Sequence, residues 1–481
     1  MQKKFLTNVF ILIAANLLIK PFWILGVDRN VQNVLGNTQY GVYANLFAFS
    51  LLFVMLLDFG INNFTSTSVA KNHSIINTQF SSMVPLKIIF SLMYFVVTVF
   101  AGFLYGFRSS QLLMLGFLSL NQVLLYFVLF FRSNISGLQY FKTDALLSVV
   151  DRALMIIFCS LFLWVSVNAI TIEYFIYVQT IGYFIAAIFC FFILKPHLEN
   201  IKLNFDKAIL LKLVKDAYPY ALLALLMTLY IRSDNILIKK IYPDGDAENG
   251  IYASANRLLE AANMFASLIA TMLLSLFAKI LKDKVELRKT IKTSMSLMFV
   301  PAMMLSVYGC VYRLEIMELL YKNATVYSSD VFGMVILSFI PVCTMYIFGT
   351  LLTANGSLNI LNKIALGALL INFVMNIFLI PRYGALGAAF AAVTTNSFVA
   401  FFNVLYANKI LKLKQNVLGI VKYAAFFVVF AAIMYFIHDY QIGLITSLII
   451  AATSGLTLVF VFRILNYSLL ISFFKLIRNG K

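Results

Sequence analysis

Charge is scarce in this chain. Only 12% of its 481 residues are Asp, Glu, Lys or Arg, against about a quarter in soluble domains, which excludes an ordinary water-soluble fold. Cysteine is scarcer: Cys159, Cys190, Cys310 and Cys343 lie apart inside apolar runs, a spacing that fits neither a metal site nor a disulfide framework. They read as small hydrophobes. His73, His197 and His438 are scattered and lack ligand spacing, so no metal is expected. A Gly-rich phosphate loop ending in Lys-Ser/Thr is missing, so no nucleotide-driven motor is built in. No large polar loop offers paired catalytic side chains. The chain is therefore not expected to be an enzyme or to carry a cofactor. The apolar runs do not alternate with polar residues, which argues against a membrane β-barrel.

Apolar side chains fill the space that charge leaves. The sequence is 62% hydrophobic with 47 Phe, and its mean hydropathy is +0.92. Apolar runs near 20 residues long recur end to end, as a polytopic all-α membrane protein requires. They predict about fourteen helices, near 8–27, 40–60, 83–106, 111–131, 144–167, 172–194, 217–238, 250–277, 293–312, 331–354, 364–380, 385–407, 420–438 and 442–462. The first resembles a signal peptide but contains Lys20 and Pro21 and lacks a small-x-small cleavage site, so it is expected to stay as a helix. With an even number of spans, about 24 Lys and Arg fall on the side of the termini and about 7 on the other. That bias places both termini in the cytoplasm. The net charge of +18 is dispersed between spans and forms no single patch, so nucleic acid is not an expected partner.

The sequence also repeats itself. Tyr40-Gly41-Val42-Tyr43-Ala44 is echoed 209 positions later by Gly250-Ile251-Tyr252-Ala253, and one segment on Ala70-Lys71 is echoed by Ala278-Lys279. The offset maps helices one to six on helices seven to twelve. Six is even, so the copies enter the membrane in the same sense, as lobes related by a parallel pseudo-two-fold with a cavity expected between them. The division is an N-lobe (1–194), a cytoplasmic linker (195–216), a C-lobe (217–410) and two added helices with a tail (411–481). The linker pattern Leu203, Ile209, Leu210 and Leu213 suits an amphipathic helix on the membrane surface or a plain tether.

Ionisable groups inside the hydrocarbon cost roughly 2.5–3.5 kcal/mol on insertion scales, which makes each a functional candidate. Lys20 stands about 18 Å into helix one, where it either faces a cavity or snorkels outward. Pro21 beside it should kink the helix. Arg232 and Asp234 lie in the outer third of helix seven. Arg257 and Glu260 in helix eight are spaced to pair on one face, as a salt bridge or as part of a site. Lys20, Arg232 and Arg257 fall in matching outer parts of the helices expected to line the cleft. Together they would make a cationic cavity suited to an anion such as a pyrophosphate. Asp58 near the inner end of helix two is a candidate for a coupling proton or cation, or an interfacial cap. Arg152, next to Asp151, is a candidate gate at the inner mouth. With no motor, energy would come from an ion gradient, the membrane potential or the substrate gradient.

The residues carry a family resemblance. Leu35-Gly36, Tyr40-Gly41-Val42-Tyr43, Leu57-Asp58-Phe59-Gly60 and Val69-Ala70-Lys71, then Asp234 with Gly250-Ile251-Tyr252-Ala253, then Asn372, Asn376 and the run Leu379 to Ala389 resemble bacterial polysaccharide repeat-unit flippases. These belong to the multidrug/oligosaccharidyl-lipid/polysaccharide exporter superfamily. The Gly384, Gly387 and Ala388 cluster reads as close helix packing between small residues. The resemblance implies a two-lobed transporter of the bacterial cytoplasmic membrane. It would move an undecaprenyl-pyrophosphate-linked oligosaccharide from inner to outer leaflet by alternating access, for O-antigen, capsule or exopolysaccharide. It also implies membrane lipids, a polysaccharide polymerase and glycosyltransferases as partners. The alternatives within the superfamily are a cation-coupled multidrug exporter and a peptidoglycan-precursor flippase.

Overall fold

A computed structural model describes residues 16, 18–165, 171–199, 207–413 and 417–464. Expectations for residues 8–15, for linker residues 200–206 and for the tail beyond 464 lie outside the described residues. All regular elements among the described residues are helices, the expected all-α class. Ten of them are long and apolar enough to cross a membrane, so the chain is a multi-pass membrane protein.

It divides into two compact units, Met1–Lys239 and Lys240–Lys481. Among its described residues the first opens with helical residues 16 and 18–22 and a π-helical turn, Trp23–Asp28, that runs into α1 (Arg29–Leu51). A non-helical Gly36 (φ +75°) separates the two arms of that stretch. α2 (Ile61–Lys71), α3 (Ile76–Tyr105), α4 (Ser109–Gly137), α5 (Phe141–Val165), α6 (Ile172–Leu194) and α7 (Lys207–Ile241) follow. α4 packs along α6 and against α2 and α3, around a core that includes Phe80, Met83, Phe90, Phe130 and Leu194. α7 starts ten residues before the helix expected at 217 and takes in the later part of the expected linker.

The second unit holds α8 (Gly245–Ile280), α9 (Lys284–Val311), α10 (Arg313–Leu320), α11 (Val326–Leu337), α12 (Phe339–Ala354), α13 (Leu358–Leu411), α14 (Val417–Asp439) and α15 (Leu444–Val461). α8 packs against α11 and α12. The two added helices, α14 and α15, seat on α9 through a core that includes Tyr308, Phe426 and Phe430. The Tyr308 hydroxyl donates to the Leu444 carbonyl at 2.9 Å.

α13 is 54 residues long. Straight, it would extend about 80 Å, more than twice the hydrocarbon thickness of about 30 Å. It is not straight. Gly384 has φ +54° and ψ −130°, and a Cβ on Gly387 would lie 2.5 Å from the Leu379 carbonyl oxygen. Residues eight apart approach this closely only where the chain folds back, so two arms meet at Gly384. Gly387 does provide close helix packing, as expected. Gly384 does something else. Tyr327 donates to Glu248 Oε2 at 2.7 Å, and the Ala385 N–H donates to the same oxygen at 2.7 Å. Glu248 therefore caps the second arm, satisfying an amide that the reversal strips of its helical acceptor. A Cβ at Gly384 would overlap the Glu248 carboxylate and lie 2.8 Å from the Tyr327 hydroxyl.

The helix expected over 40–60 differs most from expectation. α1 stops at Leu51; a 3-10 turn, Val54–Leu57, follows, and Phe59 (φ +40°) and Gly60 (φ +78°) are left-handed before α2 begins. Its repeat counterpart, α8, runs unbroken from Gly245 to Ile280. The echoes locate the cause: Gly41 to Gly250 is 209 positions, but Ala70 to Ala278 is 208. The first copy has one residue more between the echoes, and an extra residue in a helix is absorbed by a local break or bulge.

Cys159, Cys190 and Cys343 are buried, and Cys310 is half-buried. N-ethylmaleimide is therefore expected to label one thiol, at Cys310, in the folded protein and all four after denaturation, which intact-mass measurement reads directly.

Candidate functional site

Lys20 is half-buried in the distorted first helix. Proline at position 21 has no amide hydrogen to give and breaks the regular bonding of the turn it enters. The distortion takes the form of the Trp23–Asp28 π turn, a shape that often marks functional positions in helices. Asn30 Nδ2 donates to the Gly26 carbonyl at 2.5 Å, replacing a ladder bond with a side-chain one. Tyr40, from the first echo motif, donates to buried Asp28 at 2.8 Å.

This helix faces α5. Asn16 donates to Ser148 at 2.9 Å, and Lys20 stands within electrostatic reach of Asp151, Arg152 and Arg132. Arg152 lies 3.7 Å from Asp151 and 5.7 Å from the ring centroids of both Trp23 and Tyr183, inside the range of cation–π attraction. Arg132 pairs with Asp144 at 2.8 Å. Three cations thus meet two carboxylates. Arg152 and Arg132 are each matched by an acid, whereas Lys20 forms no ion pair among the described residues. The structure therefore brings Lys20, Pro21 and Arg152 into one charge cluster with a positive excess. Trp23, Tyr43 and Phe175 wall it: Trp23 stacks on Phe175 at 6.0 Å, and Tyr43 meets Phe175 edge-on at 5.1 Å.

The other candidates lie elsewhere. Arg232 on α7 is half-buried and Asp234 is buried, both in the first unit. Arg257 and Glu260 lie on α8 in the second unit and form a 2.7 Å pair, with side chains 17% and 29% exposed. The spacing of three residues predicted that contact.

Lys87 was missed by sequence reasoning. It is on α3, fully buried, with Nζ 2.6 Å from the Leu57 carbonyl oxygen and 3.4 Å from Asp58 Oδ1. The Tyr126 ring centroid lies 5.3 Å away. Asp58 also accepts from the Asn62 amide at 3.2 Å. It is thus the counter-charge of a buried ammonium and ties down an amide in the first turn of α2. A lone lysine in a run of apolar residues was the signal that could have found it. Burying that charge unpaired would cost several kcal/mol.

Comparison with known proteins places these features. A family model described as polysaccharide biosynthesis protein matches residues 5–281. An uncharacterized membrane protein of Methanocaldococcus jannaschii is 22% identical over 410 residues, covering 80% of this chain and 93% of that protein. Among solved structures, the lipid II flippase MurJ in an inward closed conformation superposes with a TM-score of 0.70 at 16% identity, over 95% of this chain and 97% of that one. An inward-facing multidrug resistance MATE family transporter superposes with a TM-score of 0.64 at 11% identity, over 84% of this chain and 98% of that one. At these identities the likeness is one of fold.

Proposed function

From a chain that belongs to the polysaccharide biosynthesis protein family and shares the fold of the multidrug/oligosaccharidyl-lipid/polysaccharide exporter superfamily, we propose a flippase for an oligosaccharide linked to undecaprenyl pyrophosphate. It carries the repeat unit from the inner to the outer leaflet by alternating access, in the bacterial cytoplasmic membrane, with both termini in the cytoplasm. The observation that carries this reading is the ammonium of Lys20 in a membrane helix, where it shares the Asp151 charge with Arg152 and lies near Arg132. A cluster with an excess of cations in a low-dielectric setting attracts a polyanionic headgroup, and ammonium and guanidinium groups both bind phosphate oxygens well. Aromatic faces at Trp23 and Tyr183 beside Arg152 hold that guanidinium in place. Arg232 and Arg257 are the further cations we assign to the substrate path. Arg257 is tied to Glu260 and would need to exchange that partner for phosphate. Pro21, Asp234 and Glu260 we assign to the conformational step and not to substrate contact. A polymerase and glycosyltransferases would act on the same lipid-linked intermediate.

The test is deletion of the gene followed by mass spectrometry of the lipid-linked sugars. A pyrophosphate-linked repeat unit should accumulate on the inner leaflet, out of reach of externally added sugar-modifying enzymes, and disappear on complementation. Accumulation of a peptidoglycan precursor instead, the substrate class named for MurJ, would replace the repeat unit with that lipid. Unchanged lipids together with lost drug resistance would point to an exporter of the MATE kind.

A further inference from the structure

The broken segment 52–60 and Lys87 stand apart from the charges around Lys20. A regular helix has no carbonyl to spare, because each accepts from the amide four residues on. A break frees several, and within a membrane each freed group needs a partner. Here the Leu57 carbonyl faces Lys87 Nζ at 2.6 Å, and Asp58 Oδ1 is 3.4 Å from the same nitrogen. The face of Tyr126 closes one side at 5.3 Å. The Asn62 side-chain oxygen, on the turn whose amide bonds Asp58, is buried and has no hydrogen-bond partner among the described residues. A backbone carbonyl, a carboxylate and an aromatic face are donors of the kind a monovalent-cation site uses, and the unsatisfied Asn62 oxygen stands one turn away. Unwound carbonyls in transporters hold coupling ions in this way. In this chain the cation is attached to the protein.

We propose that Lys87 is a tethered cation: its ammonium fills a Na+ or K+ type site formed by the break between α1 and α2, with Leu57 O and Asp58 as its ligands. An ion that enters and leaves such a site couples a gradient to motion. An ammonium on a lysine stem cannot be released, so it holds the break in one geometry whatever the alkali-ion gradient. Lys87 is a positioning residue in this sense. The assignment does not rest on the identity of the substrate. The repeat gives an internal comparison. The positions 208 and 209 after Asp58 are Ala266 and Ser267, and those after Lys87 are Met295 and Ser296. The second unit has a continuous helix there, with neither the anion nor the cation. Break, carboxylate and ammonium occur together in one unit and are all missing from the other.

The test uses the purified full-length chain. Its thermal unfolding midpoint is measured in NaCl, KCl and N-methylglucammonium chloride at equal ionic strength, for the wild type, Lys87→Ala, and Lys87→Ala combined with Asp58→Asn. The wild type is expected to unfold at the same midpoint in all three salts. Lys87→Ala should be destabilised in N-methylglucammonium and regain at least about half of the lost midpoint in Na+ or K+, because a free ion can then take the vacated position. Adding Asp58→Asn should abolish that rescue. Equal destabilisation of Lys87→Ala in every salt would overturn the proposal, as would the same cation dependence in the wild type. A Lys87→Ala protein that cannot be purified in any of the salts overturns it too, since the proposal requires the free ion to restore the fold.

Discussion

Gly384→Ala is expected to destabilise the second unit by about 3 kcal/mol. Two causes add. At φ +54° and ψ −130° the backbone occupies a region that a residue with a Cβ enters only at a cost of roughly 1–3 kcal/mol. The new Cβ would also overlap the Glu248 carboxylate and press on the Tyr327 hydroxyl, forcing apart charge-assisted bonds to Tyr327 and the Ala385 amide worth about 1.5–3 kcal/mol each. Partial relaxation keeps the sum below their total. Unfolding midpoints in detergent measure the effect, and Glu248→Ala supplies the control. Once the carboxylate is gone, only the conformational cost of Gly384→Ala should remain, so the two changes together should cost less than their sum. Strict additivity would show that the turn and the carboxylate are not coupled.

Lys20→Ala is the change expected to cost most in transport. One ammonium contacting a pyrophosphate contributes roughly 1.5–3 kcal/mol through charge-assisted hydrogen bonds, so its loss should slow flipping about 10- to 100-fold. Lys20→Arg should keep a good part of the rate, because the charge survives. Folding should be little affected, since Lys20 forms no ion pair among the described residues and its removal relieves a positive excess beside Arg152 and Arg132. The rate is read from translocation of a pyrophosphate-linked oligosaccharide in proteoliposomes, with the unfolding midpoint measured in parallel. A full rate in Lys20→Ala would remove Lys20 from the substrate path. A lost rate with a matching fall in midpoint would mark it as a structural charge.

The fold was legible because the bilayer imposes it. A run of about 20 apolar residues has one way to satisfy its backbone in lipid, so run length alone announced an all-α membrane protein. The Arg257–Glu260 contact was legible for a similar reason, as a spacing of three has a fixed meaning on a helix. The break at 52–60 was not. Val54-Met55-Leu56-Leu57 is as apolar as its surroundings, and the gap in the helix is made tolerable by distant partners such as Lys87 and Tyr94. Lys87 was hidden in turn by a boundary. The span was expected to begin at 83, which places Lys87 near the surface, but α3 begins at Ile76. That sets the lysine about 16 Å into the helix. Glu248 was invisible on other grounds. Its partners Tyr327 and Ala385 lie 79 and 137 residues away, and no local pattern encodes a cap supplied from such a distance.

That last separation orders events during synthesis. Glu248 leaves the ribosome well before the amide it will cap, and the whole of α9 to α12 is made in between. Until α13 is complete, the N-terminal end of α8 carries a carboxylate waiting for its turn to arrive. The two arms of α13 share no loop, only Gly384 and its neighbours, so neither arm can settle alone. The contact therefore forms late, when the hairpin's tip reaches Glu248. A nascent chain halted before residue 358 would hold α8 and α11 without the amide that completes the contact between Glu248 and Tyr327.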